Sequence, residues 1–370
     1  MDEMDSTHST SSGRASSALK ELLEIIERAA RKGETSLNLS GLGLKNLPAE
    51  IGQLTNLKEL YLSRNQLSSL PAELGQLTKL ELLGLEDNPL RSPPDVVEQG
   101  TAAVLAYLRE LAKGEKKRYE AKPLILGDGK EGKTCVSRAV RGLDFKENIR
   151  TEGVEVVKWS FGNTRYPAVK EKDITLNIWD FEGQEINYQS HQLFLTDKSL
   201  YLLVINGRRQ FKLERAEYWL DTIRARAPES RVILVASECE NTMPSWPLDK
   251  LKANYGDLLR GEKWYFAVGC QTDKGIGALS EEIRRAAAEI KLMGMDWPES
   301  YQRAADVIRK RAETDAQVSR AALYEIFEKS RIDKENFEYV AGQWGPLRRV
   351  WMPDNTYRWL CGEHAAEYKK

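Results

Sequence analysis

Cysteine and histidine are scarce in this chain of 370 residues, with four of the first and three of the second. The cysteines (Cys135, Cys239, Cys270, Cys361) stand far apart and form no C-x-x-C pair, which points to neither a disulfide framework nor a zinc site. His191 has no cysteine or second histidine nearby and reads as an ordinary residue rather than a metal ligand. Long apolar runs are missing too. Nothing approaches the roughly 18 residues of a membrane-spanning helix, and the longest runs, such as LYLLVI at 200–205, have the size of a strand. There is no excess of one charge: 55 Lys and Arg stand against 56 Asp and Glu, whereas a nucleic-acid surface normally brings a basic surplus. The first 18 residues are acidic and Ser/Thr-rich without an apolar core, so they read as a disordered tail rather than a secretory signal. These absences together point to a reduced, cytoplasmic protein with neither nucleic acid nor membrane as partner. What is present suffices for folding: 41% of residues are hydrophobic and 30% charged, in a length that suits two or three domains of about 100–200 residues.

The first positive signal is a repeat. NLKELYLSRNQLSSLPAELGQLT (56–78) and KLELLGLEDNPLRSPPDVVEQGT (79–101) superpose at a period of 23 residues. Leu57/Leu80, Leu60/Leu83, Leu62/Leu85, Asn65/Asn88, Leu67/Leu90 and Pro71/Pro94 all match. One period earlier come Leu37, Leu39, Leu44, Leu47 and Pro48, with Leu42 where the asparagine would stand, as in an atypical capping turn. This is the pattern of a leucine-rich repeat, in which leucines point inward from short strands and a buried asparagine bonds to the backbone of neighbouring turns. A leucine-rich amphipathic helix is the alternative; three copies in register, with proline at one offset, disfavour it. About three turns is close to the minimum for a solenoid, so helices are expected to flank it. One is predicted over 19–32 from the spacing of Leu19, Leu22, Leu23, Ile26 and Ala30. Another is predicted over 101–112, with Val104, Leu105, Leu108 and Leu111 as its apolar stripe. KGEKKRYEAK (113–122) reads as a charged, solvated connector.

From Pro123 strands and helices alternate. Strands are predicted at 123–126, 153–161, 174–179, 200–205, 231–236 and 264–268, and helices at 133–141, 214–225, 248–259 and 276–291. That order predicts a three-layer α/β domain, with a hairpin over 153–179 that makes the sheet mixed. The stretch 295–370 reads as three helices followed by a hairpin around Asp354-Asn355, the pattern of a winged helix. Within it, 297–370 holds 13 Lys and Arg against 12 Asp and Glu, which offers little attraction for DNA. Four of the nine tryptophans lie in it (Trp297, Trp344, Trp351, Trp359), more than a fully solvated unit of this size needs.

GDGKEGKT (127–134) satisfies G-x-x-x-x-G-K-[ST] directly after an apolar strand and before a helix. Glycines let backbone N–H groups turn inward around phosphates, and the helix N-terminus adds positive potential. The candidate phosphate cradle is therefore Gly127, Asp128, Gly129, Lys130, Glu131, Gly132, Lys133, Thr134 and Cys135. Lys133 is expected to reach the β- and γ-phosphates and the Thr134 hydroxyl to bind Mg²⁺. DFEGQE (180–185), at the tip of a strand, has the D-x-x-G-Q form of small GTPases. It assigns Asp180 to Mg²⁺, the Gly183 amide to the γ-phosphate and Gln184 to the attacking water. Thr151, between the two motifs, stands where a switch loop supplies a threonine to metal and γ-phosphate.

Leucine-rich repeats, QGTAAVLAYLREL (99–111), the P-loop, TEGVEV (151–156), WDFEGQE (179–185) and HQLFLTDKSLYLLVINGR (191–208) follow one another in an order that resembles the Roco family. The resemblance covers about 35–350. It implies a Ras-like domain called Roc and then a COR segment, in proteins that bind and hydrolyse GTP. The stretch 297–360 is similar to the beginning of COR. In the family COR continues further and supplies the dimerisation half; the sequence here ends at Lys370 without a kinase pattern, so COR-type dimerisation is not expected. Guanine recognition in the family rests on an N-K-x-D-like motif and an S-A-K-like motif. Here they read Ser237-Glu238-Cys239-Glu240 and Gly269-Cys270-Gln271. Glu240 keeps a carboxylate for the guanine N1 and N2 donors, while Ser237 and Cys270 replace the other base-side residues. Phosphate and metal machinery is complete and base readout is eroded, so GTP selectivity should be relaxed.

The expected organisation is a tail (1–18), a short leucine-rich-repeat solenoid with flanking helices (19–112), a linker (113–122), a Ras-like P-loop NTPase domain with a mixed sheet (123–294) and a winged-helix-like COR remnant (295–370). The expected activity is that of a slow, Mg²⁺-dependent GTPase switch. Lys133, Thr151 and Gln184 are its catalytic residues, Thr134, Thr151 and Asp180 its metal ligands, and GTP and GDP its ligands. A protein partner is expected on the repeat or switch surfaces. No arginine finger is assigned, although Arg138, Arg141 and Arg150 lie near the loop in sequence. The alternative is a scaffold that works through the repeats and has lost nucleotide binding.

Overall fold

The structure, a computed structural model, describes residues 10–90, 96–147, 154–162, 166, 169, 172–181, 195, 199–290, 293–312, 317–336, 349–351 and 356–359. The chain forms two compact units, one from 1–116, 296–308 and 324–343, the other from 117–295, 309–323 and 344–370.

The first unit opens with helix α1 (Thr10–Lys32). It starts earlier than the apolar spacing predicts, so residues 10–18 are helical rather than a tail. Its buried stripe is Leu22, Ile26 and Ala29, with Ala29 rather than Ala30 turned inward and Leu19 half exposed. Three parallel strands follow at the repeat period, β1 (Ser36–Asn38), β2 (Glu59–Tyr61) and β3 (Leu82–Gly84), with Leu37, Leu60 and Leu83 in register. Asn65 ties its own turn to the one before: its Oδ1 accepts from Leu44 N (3.0 Å) and its Nδ2 donates to Leu39 O (2.9 Å) and Leu62 O (2.8 Å). Asn88 repeats this one turn later with Leu67 N, Leu62 O and Leu85 O. Leu42, in the asparagine position of the first turn, is 54% exposed. Pro48 and Pro71, in extended backbone, each open a 3-10 turn; Pro94 lies outside the described residues. Helix α2 (Thr101–Ala112) closes the array, and Thr101 Oγ1 accepts from Leu83 N on the last strand (3.0 Å).

The predicted connector contains β4 (Glu115–Arg118) and β5 (Glu120–Ala121), and the second unit begins within it at Lys117. The connector is thus not a solvated linker. Its backbone pairs as strand while Glu115, Lys116 and Lys117 stay exposed, which is how a charged edge strand escapes a hydrophobic reading. There follow β6 (Pro123–Leu126), α3 (Lys133–Val140), β7 (Val154–Phe161), β8 (Ile174–Phe181), β9 (Leu200–Asn206), α4 (Leu213–Arg226), β10 (Arg231–Ser237), α5 (Leu248–Tyr255), β11 (Tyr265–Ala267) and α6 (Ile276–Ala288). Strand order is β11-β10-β9-β6-β8, all parallel; β5 joins β8 in line with β6, and β7 pairs antiparallel with β8 as the predicted hairpin. The period of two sorts side chains onto two faces. Ile125, Leu202, Val204, Ile233 and Val235 pack with Val136 of α3 and Leu279 and Ile283 of α6. Leu124, Leu126, Tyr201, Leu203, Val232 and Leu234 pack with Trp219 and Leu220 of α4 and Leu251 of α5.

Next come β12 (Met295–Pro298), α7 (Glu299–Ala312), β13 (Gln317–Ser319), α8 (Arg320–Lys329), β14 (Arg349–Trp351) and β15 (Thr356–Trp359). The predicted hairpin β14/β15 gains β13 as a third antiparallel strand; the predicted third helix lies mostly outside the described residues. Within the first unit, Glu110 of α2 is wholly buried and accepts from Lys113 Nζ (2.8 Å), Ser300 Oγ (2.8 Å), Asn336 Nδ2 (3.0 Å) and Asp333 N (3.2 Å). In the sequence this residue looks like an ordinary solvated helix charge. Instead it ties the end of the repeats to chain that returns almost 200 residues later.

Candidate nucleotide site

The carboxyl ends of β6, β8, β9 and β10 converge on one edge of the sheet, the usual place for a ligand in an open α/β fold. Register brings Ile125 opposite Asp180, Leu126 opposite Leu203, and Ser237 opposite Asn206. The loop after β6 turns at three left-handed residues, Gly127 (φ +141°), Lys130 (φ +63°) and Gly132 (φ +81°). A Cβ on Gly127 would lie 2.2 Å from Val204 O, so only glycine fits there. Gly132 caps α3 and leads directly into Lys133, which places the helix N-terminus at the loop.

Lys133 is buried, and its Nζ donates to Gly127 O (3.0 Å) and Asp128 O (2.7 Å), so the ammonium lies curled over its own loop. The Asp128 carboxylate is gripped from α4: Arg215 donates through Nε (2.8 Å) and Nη2 (2.7 Å), and Trp219 Nε1 donates at 3.0 Å. Asp128 therefore anchors the loop with its side chain. Glu131 accepts from Asn206 N and lies 3.7 Å from Arg209 Nη1; burial raises its carboxyl pKa, against the pull of those two partners.

On the base side, Ser237 is buried and its hydroxyl donates to Glu131 O (2.7 Å). It serves as a tether between β10 and the P-loop. Glu240 keeps only 5% of its side chain exposed; Oε2 accepts from Arg208 Nη2 (2.8 Å) and Oε1 lies 3.5 Å from Gln271 N. Lys274 Nζ holds the carbonyls of Cys239 (2.8 Å) and Glu240 (3.2 Å). Cys270 is buried and its thiol is pushed up to about 12 by burial, so it stays a neutral thiol. Burial also raises Cys135, which follows Thr134 on α3.

Asp180 is buried at the end of β8. Thr151, Gly183, Gln184, Arg150 and His191 lie outside the described residues. Arg138 and Arg141 donate to Asp144 O (3.2 Å) and Ser137 O (2.9 Å), contacts local to α3 and the turn after it. A cavity of about 200 Å³ adjoins the loop, lined among others by Asp128, Glu131, Arg209, Lys212, Arg215 and Trp219. Sequence reasoning missed Asn206, Arg208, Arg215 and Trp219. Only Asn206-Gly207-Arg208-Arg209 carried a signal, as a polar turn after a central strand.

Residues 122–240 match the family described as Ras of Complex, Roc, domain of DAPkinase, and residues 35–90 match a leucine-rich-repeat family. The chain is 32% identical over 235 residues to the probable serine/threonine-protein kinase pats1 of Dictyostelium discoideum, covering 58% of this chain and 7% of that protein. It is 31% identical over 201 residues to leucine-rich repeat serine/threonine-protein kinase 1 of Mus musculus, covering 54% of this chain and 9% of that one. A solved structure titled Methanosarcina barkeri Roco2 RocCORdC bound to GDP superposes with a TM-score of 0.57 at 26% identity, covering 68% of this chain and 75% of that chain. The chain belongs to the Roco family. Its Roc domain is the mixed α/β unit just described, and its repeats are the array before it. The matched region spans less than a tenth of the length of the two Roco relatives named. Among the described residues no helix is long and apolar enough to cross a membrane.

Proposed function

We propose that this Roco chain binds GTP and GDP through its Roc domain and hydrolyses GTP slowly as a Mg²⁺-dependent switch. The observation that carries the reading is the loop 127–134. Its left-handed glycines, the helix N-terminus at Lys133 and a buried Lys133 ammonium that donates to the loop carbonyls of Gly127 and Asp128 form a preorganised phosphate cradle. The relative bound to GDP supports the choice of guanine nucleotide.

In this reading Lys133 leaves Gly127 O and Asp128 O for the β- and γ-phosphates, exchanging two neutral acceptors for charged ones. Backbone N–H groups of 129–135 surround the same oxygens. The donor set suits Mg²⁺: the Thr134 hydroxyl and the Asp180 carboxylate are hard oxygen ligands that leave the other positions to phosphates and water. Thr151 completes that set, Gly183 senses the γ-phosphate and Gln184 orients the attacking water. The bound metal supplies neutralisation of charge on the phosphates. With no arginine assigned to the transferring group, turnover is slow. Glu240 reads the guanine N1 and N2 donors beside Cys270, and Ser237 holds the loop. The domain is assigned to 123–294, the COR remnant to 295–370, and the repeat and switch surfaces to a protein partner in the cytoplasm. Binding of labelled GTP with Mg²⁺ tests the reading: Lys133→Ala should weaken it by at least about 100-fold, as loss of a charge-assisted phosphate contact in a low-dielectric cradle. Unchanged binding in that variant refutes it.

A further inference from the structure

We infer that Arg208 is a specificity-determining residue: it occupies the guanine-reading carboxylate of Glu240 and so lowers the preference for GTP over ATP. The inference rests on the nucleotide-binding reading above and concerns the base half of that site.

Arg208 is fixed in this role by its own turn. Its backbone N–H donates to Asn206 Oδ1 (2.9 Å), and Gly207 N donates to Ser237 O (2.8 Å), so the end of β9 is fastened alongside the end of β10. From there the guanidinium reaches across the base motif. Nε donates to Glu238 O (3.0 Å), Nη2 donates to Glu240 Oε2 (2.8 Å), and Nη1 lies 3.9 Å from the Glu238 carboxylate. Glu238 receives it in a left-handed conformation (φ +54°), a conformation uncommon for a residue with a side chain. Arg209, next in the chain, pairs with Glu131 of the phosphate loop. Two consecutive arginines thus face the two halves of one site.

Guanine presents N1–H and N2–H₂ side by side and needs both oxygens of one carboxylate. In Glu240 one oxygen already has a charged donor at 2.8 Å, and the other has a backbone amide at 3.5 Å. GTP must therefore displace Arg208. ATP need not, because adenine has an acceptor at N1, and a guanidinium held at that carboxylate suits an acceptor better than a bare carboxylate does. Arg208 is half exposed while Glu240 is almost wholly buried, so the arginine can swing into water at small desolvation cost. The result is competition rather than blockade.

The test is a set of competition titrations on the full chain with Mg²⁺, measuring displacement of a fluorescent GTP analogue by GTP and by ATP. Arg208→Ala should raise the GTP-to-ATP affinity ratio about three- to thirty-fold, chiefly through tighter GTP. Arg208→Gln, which keeps a side chain in place for folding and removes the charge, should move the ratio the same way by less. Glu240→Ala should bring the ratio close to one, and adding Arg208→Ala to it should then change nothing. A ratio that stays constant or falls in Arg208→Ala and Arg208→Gln, or an equal effect without Glu240, overturns the inference. An unmutated chain that binds neither nucleotide fails the functional reading itself, a result distinct from two nucleotides that bind but do not respond to Arg208.

Discussion

Asn65 of the repeat array bonds to Leu39, Leu44 and Leu62, none more than 26 residues away, whereas Asp128 of the Roc domain is held by Arg215 and Trp219, 87 and 91 residues along the chain. Both side chains satisfy polar groups near a buried backbone turn, but over opposite ranges. In the array the partners lie in the same turn or the one before, so each turn specifies the next. In the Roc domain the partners come from strands and helices brought together by the sheet, and a loop is only as well positioned as the distant elements that grip it. The same holds for Ser237 on Glu131 and for Arg231 with Glu282. A repeat can therefore be damaged locally, while the nucleotide site should fail as a whole.

The largest test of that difference is Gly127→Ala. A methyl group at φ +141° and 2.2 Å from Val204 O forces the loop off its strand, at a cost of about 3 kcal/mol or more. Nucleotide binding should vanish, and hydrogen exchange should quicken across β6, β9 and α3 while the repeats keep their protection. Asn65→Ala is the converse. It leaves Leu44 N and the carbonyls of Leu39 and Leu62 without their side-chain partner, which costs about 2–3 kcal/mol. Hydrogen exchange should rise in β1 to β3 alone, and GTP binding should stay within about twofold of the unmutated chain, since sites without shared partners act independently. If Asn65→Ala abolished nucleotide binding, the contrast between the regions would be false.

The smallest effect sharpens the long-range side. Glu282 of α6 accepts from Arg231 of β10 and from Arg285. Burial alone would raise its carboxyl, yet hydrogen bonds from Arg285 and Arg231 hold it below the ordinary value of 4.5. A depressed carboxyl contributes stability above its unfolded pKa and loses it as pH falls through the folded value. Glu282→Gln should thus cost about 1 kcal/mol at pH 7 and progressively less below about pH 4.5. Urea melts of the two proteins should converge in acid; a constant gap would show that the pair acts through packing instead of charge.

Much of the fold was legible because its signals are periodic. The 23-residue repeat gave the strand register of the array and the role of Asn65, and the apolar runs at 200–205 and 231–236 gave buried strands. The P-loop was legible because Gly127 and Gly132, two of its three left-handed residues, and its helix N-terminus follow from glycine spacing; the third, Lys130, carries no such mark. One charged segment, KGEKKRYEAK, was misread: it contains strands, and the buried Glu110 carried no signal at all, since their partners are backbone or lie far along the chain, and composition records neither.

The sequence by itself determined the order of repeats, Roc domain and following segment, and the strand-loop-helix form of 127–134, because these depend on residues within one turn or one strand of each other. Only the tertiary structure decided that Asp128 is an anchor, that Ser237 is a tether, and that Arg208 lies on Glu240. Those outcomes depend on which strand ends stand side by side at the carboxyl edge of the sheet, and on which charge reaches a buried carboxylate first.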